Sequence, residues 1–180
     1  MRIISGSLKG RRLQAPKNLP VRPTTDFAKE ALFNILRNYV DIEGLHVLDL
    51  FAGTGNISFE LISRGAASCL SVDGNSACIK YIQKTSREFK LSNHRINRDD
   101  VFKFVKKGFG SYDLIFTDPP YNLDKLEELP DLILNKGILK KDGLLVLEHG
   151  REHNFENHEK LLFTRKYGNV NFTLFSLDQE

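Results

Sequence analysis

From Leu45 onward the chain alternates short apolar runs with helical patterns, and this alternation constrains the fold more than any other feature. "LHVLDLF" reads as a buried strand and "NISFELISR" as a helix, with Gly65 placed to end it. "SCLSVD" is a second strand. Asn75 to about Leu91 is a helix, with Ile79, Ile82, Ser86 and Phe89 along one stripe. "HRINRD" and "YDLIFTD" are a third and a fourth strand on either side of the short helix "DVFKFVKK". Leu123–Leu134 contains the next helix, and "GLLVLEHG" is the fifth strand. "KLLFTRKY" and "NVNFTLFSL" flank Gly168-Asn169 as a closing antiparallel hairpin. Repeated strand–helix–strand units with apolar strands need cover on both faces, which a parallel sheet of the α/β class provides. Right-handed crossovers make such a sheet doubly wound. Its ligands bind beyond the carboxyl ends of the strands.

The N-terminal part reads differently. Residues 2–14 form two short strands around a Lys9-Gly10 turn. "APKNLPVRPTT" has three prolines in eleven residues and reads as an extended connector, with Arg22 held out of helix by Pro23. "TDFAKEALFNILRNYV" then places Phe27, Ala31, Leu32, Ile35, Leu36 and Tyr39 on one helical face, capped by Thr25 or Asp26. The net charge is +3, unevenly spread. Residues 1–25 hold Arg2, Lys9, Arg11, Arg12, Lys17 and Arg22 and no acid, leaving 20 basic against 23 acidic residues beyond them. A basic arm on a mildly acidic body is a nucleic-acid footprint; the plainer alternative is a solvated arm. This divides the chain into a basic extension, 1–25, and a body, 26–180.

The strand ends carry the chemistry. The first ends in "DLFAGTGN", where Gly53 and Gly55 permit a sharp turn beside Asp49. The third glycine of a dinucleotide fingerprint would stand at Ser58, and a carboxylate repels pyrophosphate, so a nicotinamide cofactor is disfavoured. Asp49 suits a ligand with an ammonium or sulfonium group; the plain alternative is an ordinary strand-to-helix turn. Asp73 ends strand two, 18 residues after Gly55, near the spacing at which an acid meets ribose hydroxyls, or it caps the next helix. After strand three, a carboxylate of Asp99 or Asp100 can accept from an adenine amine while Val101 packs on the ring; Asp99 can equally cap a helix. Acidic acceptors without a phosphate cradle describe a pocket for S-adenosylmethionine. Strand four ends in Asp118-Pro119-Pro120-Tyr121. Proline has no N–H, so the Asp118 carboxylate and the Pro119 carbonyl can both accept from one –NH2 group while Tyr121 offers a stacking face. The alternative is a proline-stiffened turn.

"DLFAGTGN" with "TDPPY" resembles the class I S-adenosylmethionine-dependent methyltransferases of base amines. "RIISGSLKGRRL…RPTTDFAKEALFNIL" with "SRGA" resembles, more specifically, the RsmD family of bacterial guanine-N2 methyltransferases of 16S ribosomal RNA. The resemblance implies a Rossmann-like, mostly parallel seven-stranded sheet with a small N-terminal hairpin and helix extension. It implies S-adenosyl-L-methionine as cofactor, held by Asp49, Phe51, Gly53, Gly55, Asn56, Asp73, Asp100 and Val101. Asp118, Pro119 and Tyr121 would hold the guanine. Arg2, Lys9, Arg11, Arg12, Arg22 and Thr24 would meet RNA, free or within a partly or fully assembled small subunit. The sequence departs from the family pattern in Asp73 followed by Gly74, where Glu is commoner, and in Asn56, where a small residue is commoner.

An adenine-N6 methyltransferase and a non-catalytic RNA-binding module remain alternatives. No metal is expected: His153 and His158, among Glu152, Glu156 and Glu159, fit no standard ligand spacing. His149 reads as a hydrogen-bonded strand-end residue, and Cys69 as a buried thiol. No apolar segment matches a signal peptide or a membrane span, which points to the cytoplasm.

Overall fold

A computed structural model of the chain describes residues 1–16, 19 and 24–178. Arg22, Pro23 and most of the proline connector lie outside the described residues. Helix α1 (Asp26–Leu36) is followed by β1 (His46–Leu50), α2 (Asn56–Ser63), β2 (Ser68–Asp73) and α3 (Ser76–Glu88). Next come β3 (His94–Arg98), α4 (Val101–Lys107) and β4 (Tyr112–Thr117). A 3-10 turn, Leu126–Glu128, leads into α5 (Leu129–Leu134), then β5 (Leu139–His149), β6 (Leu161–Tyr167) and β7 (Val170–Ser176). The seven strands form one sheet in the order β3-β2-β1-β4-β5-β7-β6. The first five are parallel, and β7 runs antiparallel to both β5 and β6. The doubly wound, Rossmann-like sheet expected from the strand–helix alternation is therefore present.

Alternation of side chains along the strands sorts the core into two layers. Val47, Leu114, Val146 and Phe172 cluster with Leu32 of α1 and Leu61 of α2. Leu48, Ile115, Leu145 and Phe175 cluster with Phe104 of α4 and Ile133 of α5. The strand order turns back between β1 and β4, and an open α/β sheet binds its ligands at that point. Gly65 has φ 99 and ends α2 as expected, its N–H donating to the Ile62 carbonyl. Cys69 and Cys78 are both buried free thiols.

Two expectations are corrected. The face of α1 that packs inward is Ala28, Lys29, Ala31, Leu32, Phe33, Ile35 and Leu36. Phe27 is 69% exposed, and Tyr39, beyond the helix, is 49% exposed. Ala31, Leu32, Ile35 and Leu36 of the expected face do pack inward, but apolar residues at both 27 and 28 support two overlapping stripes, and tertiary packing buries Ala28 and Phe33 in place of the two ends. The N-terminal segment also differs from a simple hairpin with a Lys9-Gly10 turn. Met1–Ile3 does pair with 11–13, through Ile3 N–H to Arg11 O at 2.9 Å and Leu13 N–H to Met1 O at 3.1 Å. Between them the chain leaves the ladder to seal the end of α2. Ser7 N–H donates to the Ser63 carbonyl at 2.8 Å and Leu8 N–H to the Ser63 hydroxyl at 2.9 Å. Gly6, at φ 82, lies against that carbonyl where no side chain would fit.

The same loop meets a buried ion pair. Lys29 Nζ stands 3.3 Å from Glu60 Oε2, and both side chains are 0% exposed. Lys29 also donates to Arg2 O at 2.6 Å and to Asn56 Oδ1 at 2.8 Å. Glu60 accepts from Ile4 N–H at 2.8 Å, Ser5 N–H at 3.0 Å and Arg64 Nε at 2.8 Å. Burial pushes the Lys29 ammonium below its ordinary pKa, and Glu60 acts against that shift. Two buried charges persist when each is paired and fully hydrogen-bonded; removing one strands the other. Glu60→Ala is therefore expected to lower unfolding stability by about 3–5 kcal/mol in urea denaturation. A loss below about 1 kcal/mol would contradict this account, being the size of an exposed pair.

Candidate active site

β1 ends at Leu50, and the chain turns through three left-handed residues, Phe51 (φ 57), Gly53 (φ 55) and Gly55 (φ 71). Phe51 is not glycine, so its conformation must be held by its surroundings. Asp73, at the end of β2, braces this loop. Its Oδ2 accepts from Gly53 N–H at 2.8 Å and its Oδ1 from Asn75 N–H at 2.7 Å. Asn75, rather than Asp73, caps α3, accepting from Ala77 N–H and Cys78 N–H. Gly55 serves packing. A Cβ there would come within 3.0 Å of the Phe59 ring and 3.1 Å of Ile82.

Asp49 is buried beneath the loop. Its Oδ2 accepts from Ser58 N–H at 3.1 Å and from the Ser58 hydroxyl. A hydrogen-bonded chain continues from the Ser58 hydroxyl to that of Ser71 at 2.6 Å and on to His94 Nε2 at 2.7 Å. Burial raises the Asp49 pKa to about 7; the Ser58 bonds oppose the shift, and the Asp73 charge adds to it.

The substrate side follows from strand register. Leu114 to Thr117 of β4 pair with Leu144 to Leu147 of β5. The next residues, Asp118 and Glu148, therefore emerge side by side from strands about 4.8 Å apart. Glu148 is only 3% exposed. Its Oε2 accepts from the Thr24 hydroxyl at 3.0 Å and its Oε1 from the Tyr121 hydroxyl at 3.3 Å. Burial raises the Asp118 pKa well above the ordinary carboxylate range, with further contributions from Glu148 and then Asp49. His153 Nε2 holds the Tyr121 carbonyl at 3.0 Å. His149 is engaged by the Gly150 carbonyl and the Thr173 hydroxyl, as a strand-end histidine should be.

These elements enclose a cleft of about 580 Å³. Asp49, Phe51, Gly53, Asn56 and Asp73 line one side, and Asp118, Pro119 and Tyr121 the other. Thr24, read as an RNA contact, also lines it and is 7% exposed. Gly55, Asp100 and Val101 do not line it. Asp100 caps α4, accepting from Lys103 N–H at 2.9 Å, while Asp99, for which capping is one of two alternatives in the sequence, pairs with Lys107 at 2.5 Å. Val101, the first residue of α4, is buried in the core with Phe104 and with Leu129 and Ile133 of α5. Arg2, Lys9, Arg11 and Arg12 are exposed, with the Arg11 guanidinium 4.8 Å over the Phe89 ring. The sequence reading missed Glu148, Asn75 and Asn169, which all line the cleft. Only Glu148 carried a signal, as an acid inside the apolar run "LLVLE".

Four carboxyls line the cleft and, among the described residues, no Lys or Arg does. Such a site draws cations and hydrogen-bond donors and repels phosphate. Residues 1–176 match the family model described as conserved hypothetical protein 95. The chain belongs to that family, the RsmD methyltransferases. It is 39% identical over 174 residues to Bacillus subtilis YlbH, provisionally named an rRNA methyltransferase, with 92% of each chain covered. It is 32% identical over 148 residues to the ribosomal RNA small subunit methyltransferase D of Escherichia coli K12, covering 82% of this chain and 74% of that one. The solved structure of Escherichia coli YhhF, provisionally named a methyltransferase, superposes with TM-score 0.84 at 30% identity, over 97% of this chain and 96% of that one. This RsmD-family chain is a methyltransferase. No helix among its described residues is long and apolar enough to cross a membrane.

The buried acid of this RsmD-family site makes a testable pH prediction. Asp49 holds its proton more tightly folded, at about 7, than at the ordinary 3.8, so its contribution to stability is lost as pH rises through that interval. The stability of the wild type relative to Asp49→Asn is expected to fall between pH 5 and pH 8 in urea unfolding. A pH-independent difference would rule out the buried, raised carboxyl.

Proposed function

We propose that this protein transfers a methyl group from S-adenosylmethionine to the N2 amine of a guanine in small-subunit (16S) ribosomal RNA. The observation that carries this reading is the cleft with four carboxyls and no lining Lys or Arg among the described residues, in a chain of the RsmD family. S-adenosylmethionine fits that set of acceptors. It is cationic at ammonium and sulfonium, offers ribose hydroxyls and an amine as donors, and has no phosphate to meet the acids. When bound, it would supply a methyl group on a positively charged sulfur. Asp49 and the Gly53 backbone would take its amino-acid end, with Phe51 and Asn56 beside them, and Asp73 its ribose. The assignment of Gly55, and of Asp100 and Val101 to adenine, rests on the family resemblance, since none of the three lines the cleft.

The chain's own part is to hold the amine and remove its proton. The Asp118 carboxylate and the Pro119 carbonyl accept from the –NH2 group and orient its lone pair. A carboxyl with a raised pKa is matched to taking up the proton that the methylated amine sheds near neutral pH. Tyr121 offers a face for the base, with its hydroxyl tethered to Glu148. A base must leave its stack to reach this depth. The exposed Arg2, Lys9, Arg11 and Arg12 would hold flanking phosphates, making 1–25 an RNA-binding extension of a 26–180 methyltransferase domain. Arg22 is assigned to the same surface from sequence alone. The substrate is RNA, free or in a partly or fully assembled small subunit.

Incubation with labelled S-adenosylmethionine and bacterial ribosomal RNA, naked and in subunits, tests the reading by mapping the modified nucleoside. N2-methylguanine is expected; N6-methyladenine would overturn it. Asp118→Ala is expected to cut transfer about 10²–10⁴-fold while S-adenosylhomocysteine binding by calorimetry stays nearly unchanged. Unaltered turnover would refute the role of Asp118. Replacing both Arg11 and Arg12 with Ala should weaken RNA binding and lower the slope of log affinity against log salt by about 2, as fewer counterions are released. An unchanged slope would remove these residues from the interface.

A further inference from the structure

We propose that Glu148 accepts the N1–H of the target guanine and thereby selects guanine over bases that carry an amine but lack that proton. The proposal rests on the guanine-N2 reading above. Asp118 and the Pro119 carbonyl recognise an exocyclic amine, and an amine does not name the base. Guanine N2 and adenine N6 both donate. The ring nitrogen beside the amine separates them, since N1 of guanine carries a proton and N1 of adenine carries a lone pair. An acceptor next to Asp118, on the same base edge, is what discriminates between the two.

Strand register places Glu148 in that position. Thr117 pairs with Leu147, so Asp118 and Glu148 follow side by side from β4 and β5, and both line the cleft. Two hydroxyls orient the Glu148 carboxyl as an acceptor, Thr24 at 3.0 Å on Oε2 and Tyr121 at 3.3 Å on Oε1. The Tyr121 bond also couples the stacking ring to the acceptor, so base plane and base edge are positioned together. Thr24 is itself held, its carbonyl accepting from Asn56 Nδ2 at 3.0 Å. A carboxyl 3% exposed at the end of an apolar strand is costly to bury. The neighbouring Asp118 carboxyl, raised first by its own burial and then by Glu148, adds to that cost. Two donors on one base edge, N1–H and N2–H, relieve both carboxyls at once. A base with a lone pair at N1 would leave Glu148 opposed by it.

The test compares two acceptors in ligated small-subunit RNA: the mapped nucleotide as guanosine, or as 2-aminopurine riboside. The second keeps the amine and has a lone pair at N1. The wild type is expected to prefer guanosine by about 10–100-fold in kcat/KM, the range set by losing one hydrogen bond to a charged group. Glu148→Gln, whose amide can donate to a lone pair, is expected to shrink that preference at least about tenfold. Its S-adenosylhomocysteine affinity, measured in parallel by calorimetry, should stay within about twofold, a far smaller effect than loss of a buried hydrogen bond. A role confined to packing would lower both rates and leave their ratio alone, so an unchanged ratio in Glu148→Gln overturns the proposal. A wild-type ratio near one overturns it without any variant. A wild type that methylates no guanosine RNA fails at the first step and overturns the guanine-N2 reading together with it.

Discussion

A buried ammonium–carboxylate pair, Lys29 with Glu60, joins the pieces that frame the cleft. Lys29 belongs to α1 and Glu60 to α2, and between them they hold the backbone at Arg2, Ile4 and Ser5. Lys29 also fixes the Asn56 amide, which holds Thr24, which holds Glu148, which holds Tyr121. One hydrogen-bonded path therefore runs from the N-terminal segment to the substrate side. A buried pair of this kind adds little net stability over an apolar replacement, and its demanding geometry makes alternative packings costly. In this protein that geometry aligns the basic segment with the acidic cleft.

Charge is divided between those two surfaces. Arg2, Lys9, Arg11 and Arg12 stand in solvent, while Asp49, Asp73, Asp118 and Glu148 line the cleft. A polyanion is drawn to the first surface and repelled by the second. Under the proposed function this lets phosphates settle outside while an uncharged base enters with its donor edge forward. Burial raises the Asp49 and Asp118 carboxyls, and the neighbouring acids add to the shift. Binding of a cationic cofactor would relieve it.

Much of this was legible in one dimension. The alternation after Leu45 announces a doubly wound sheet because strands covered on both faces must be apolar along their length; the first four parallel strands lie where that pattern puts them, and β5 begins earlier than "GLLVLEHG", at Leu139. Asp49, Gly53, Asp73 and Asp118 could be found because they stand at strand ends, where such sheets bind ligands. Phe27 and Tyr39 were misplaced because periodicity alone cannot choose between stripes one residue apart. Lys29, 0% exposed, was invisible as a core residue because its partner lies 31 positions away in sequence. The simple hairpin was altered for a similar reason. Glu60 and Ser63 compete for the N–H groups of 4–8, and a sheet ladder at that position would leave the end of α2 without partners.

The fold class, the family and the acid-and-proline motif could all be read from residue type and short spacing. Which acids stand together is a matter of how the strands pair. Asp118 and Glu148 are 30 positions apart and become neighbours through the register of two parallel strands, a property of hydrogen bonding between segments. Packing likewise turns Thr24 inward to Glu148 and makes Gly55 answer to Phe59 and Ile82. Contacts across long sequence separation leave no local pattern to read, and the proposed choice between guanine and adenine depends on one of them.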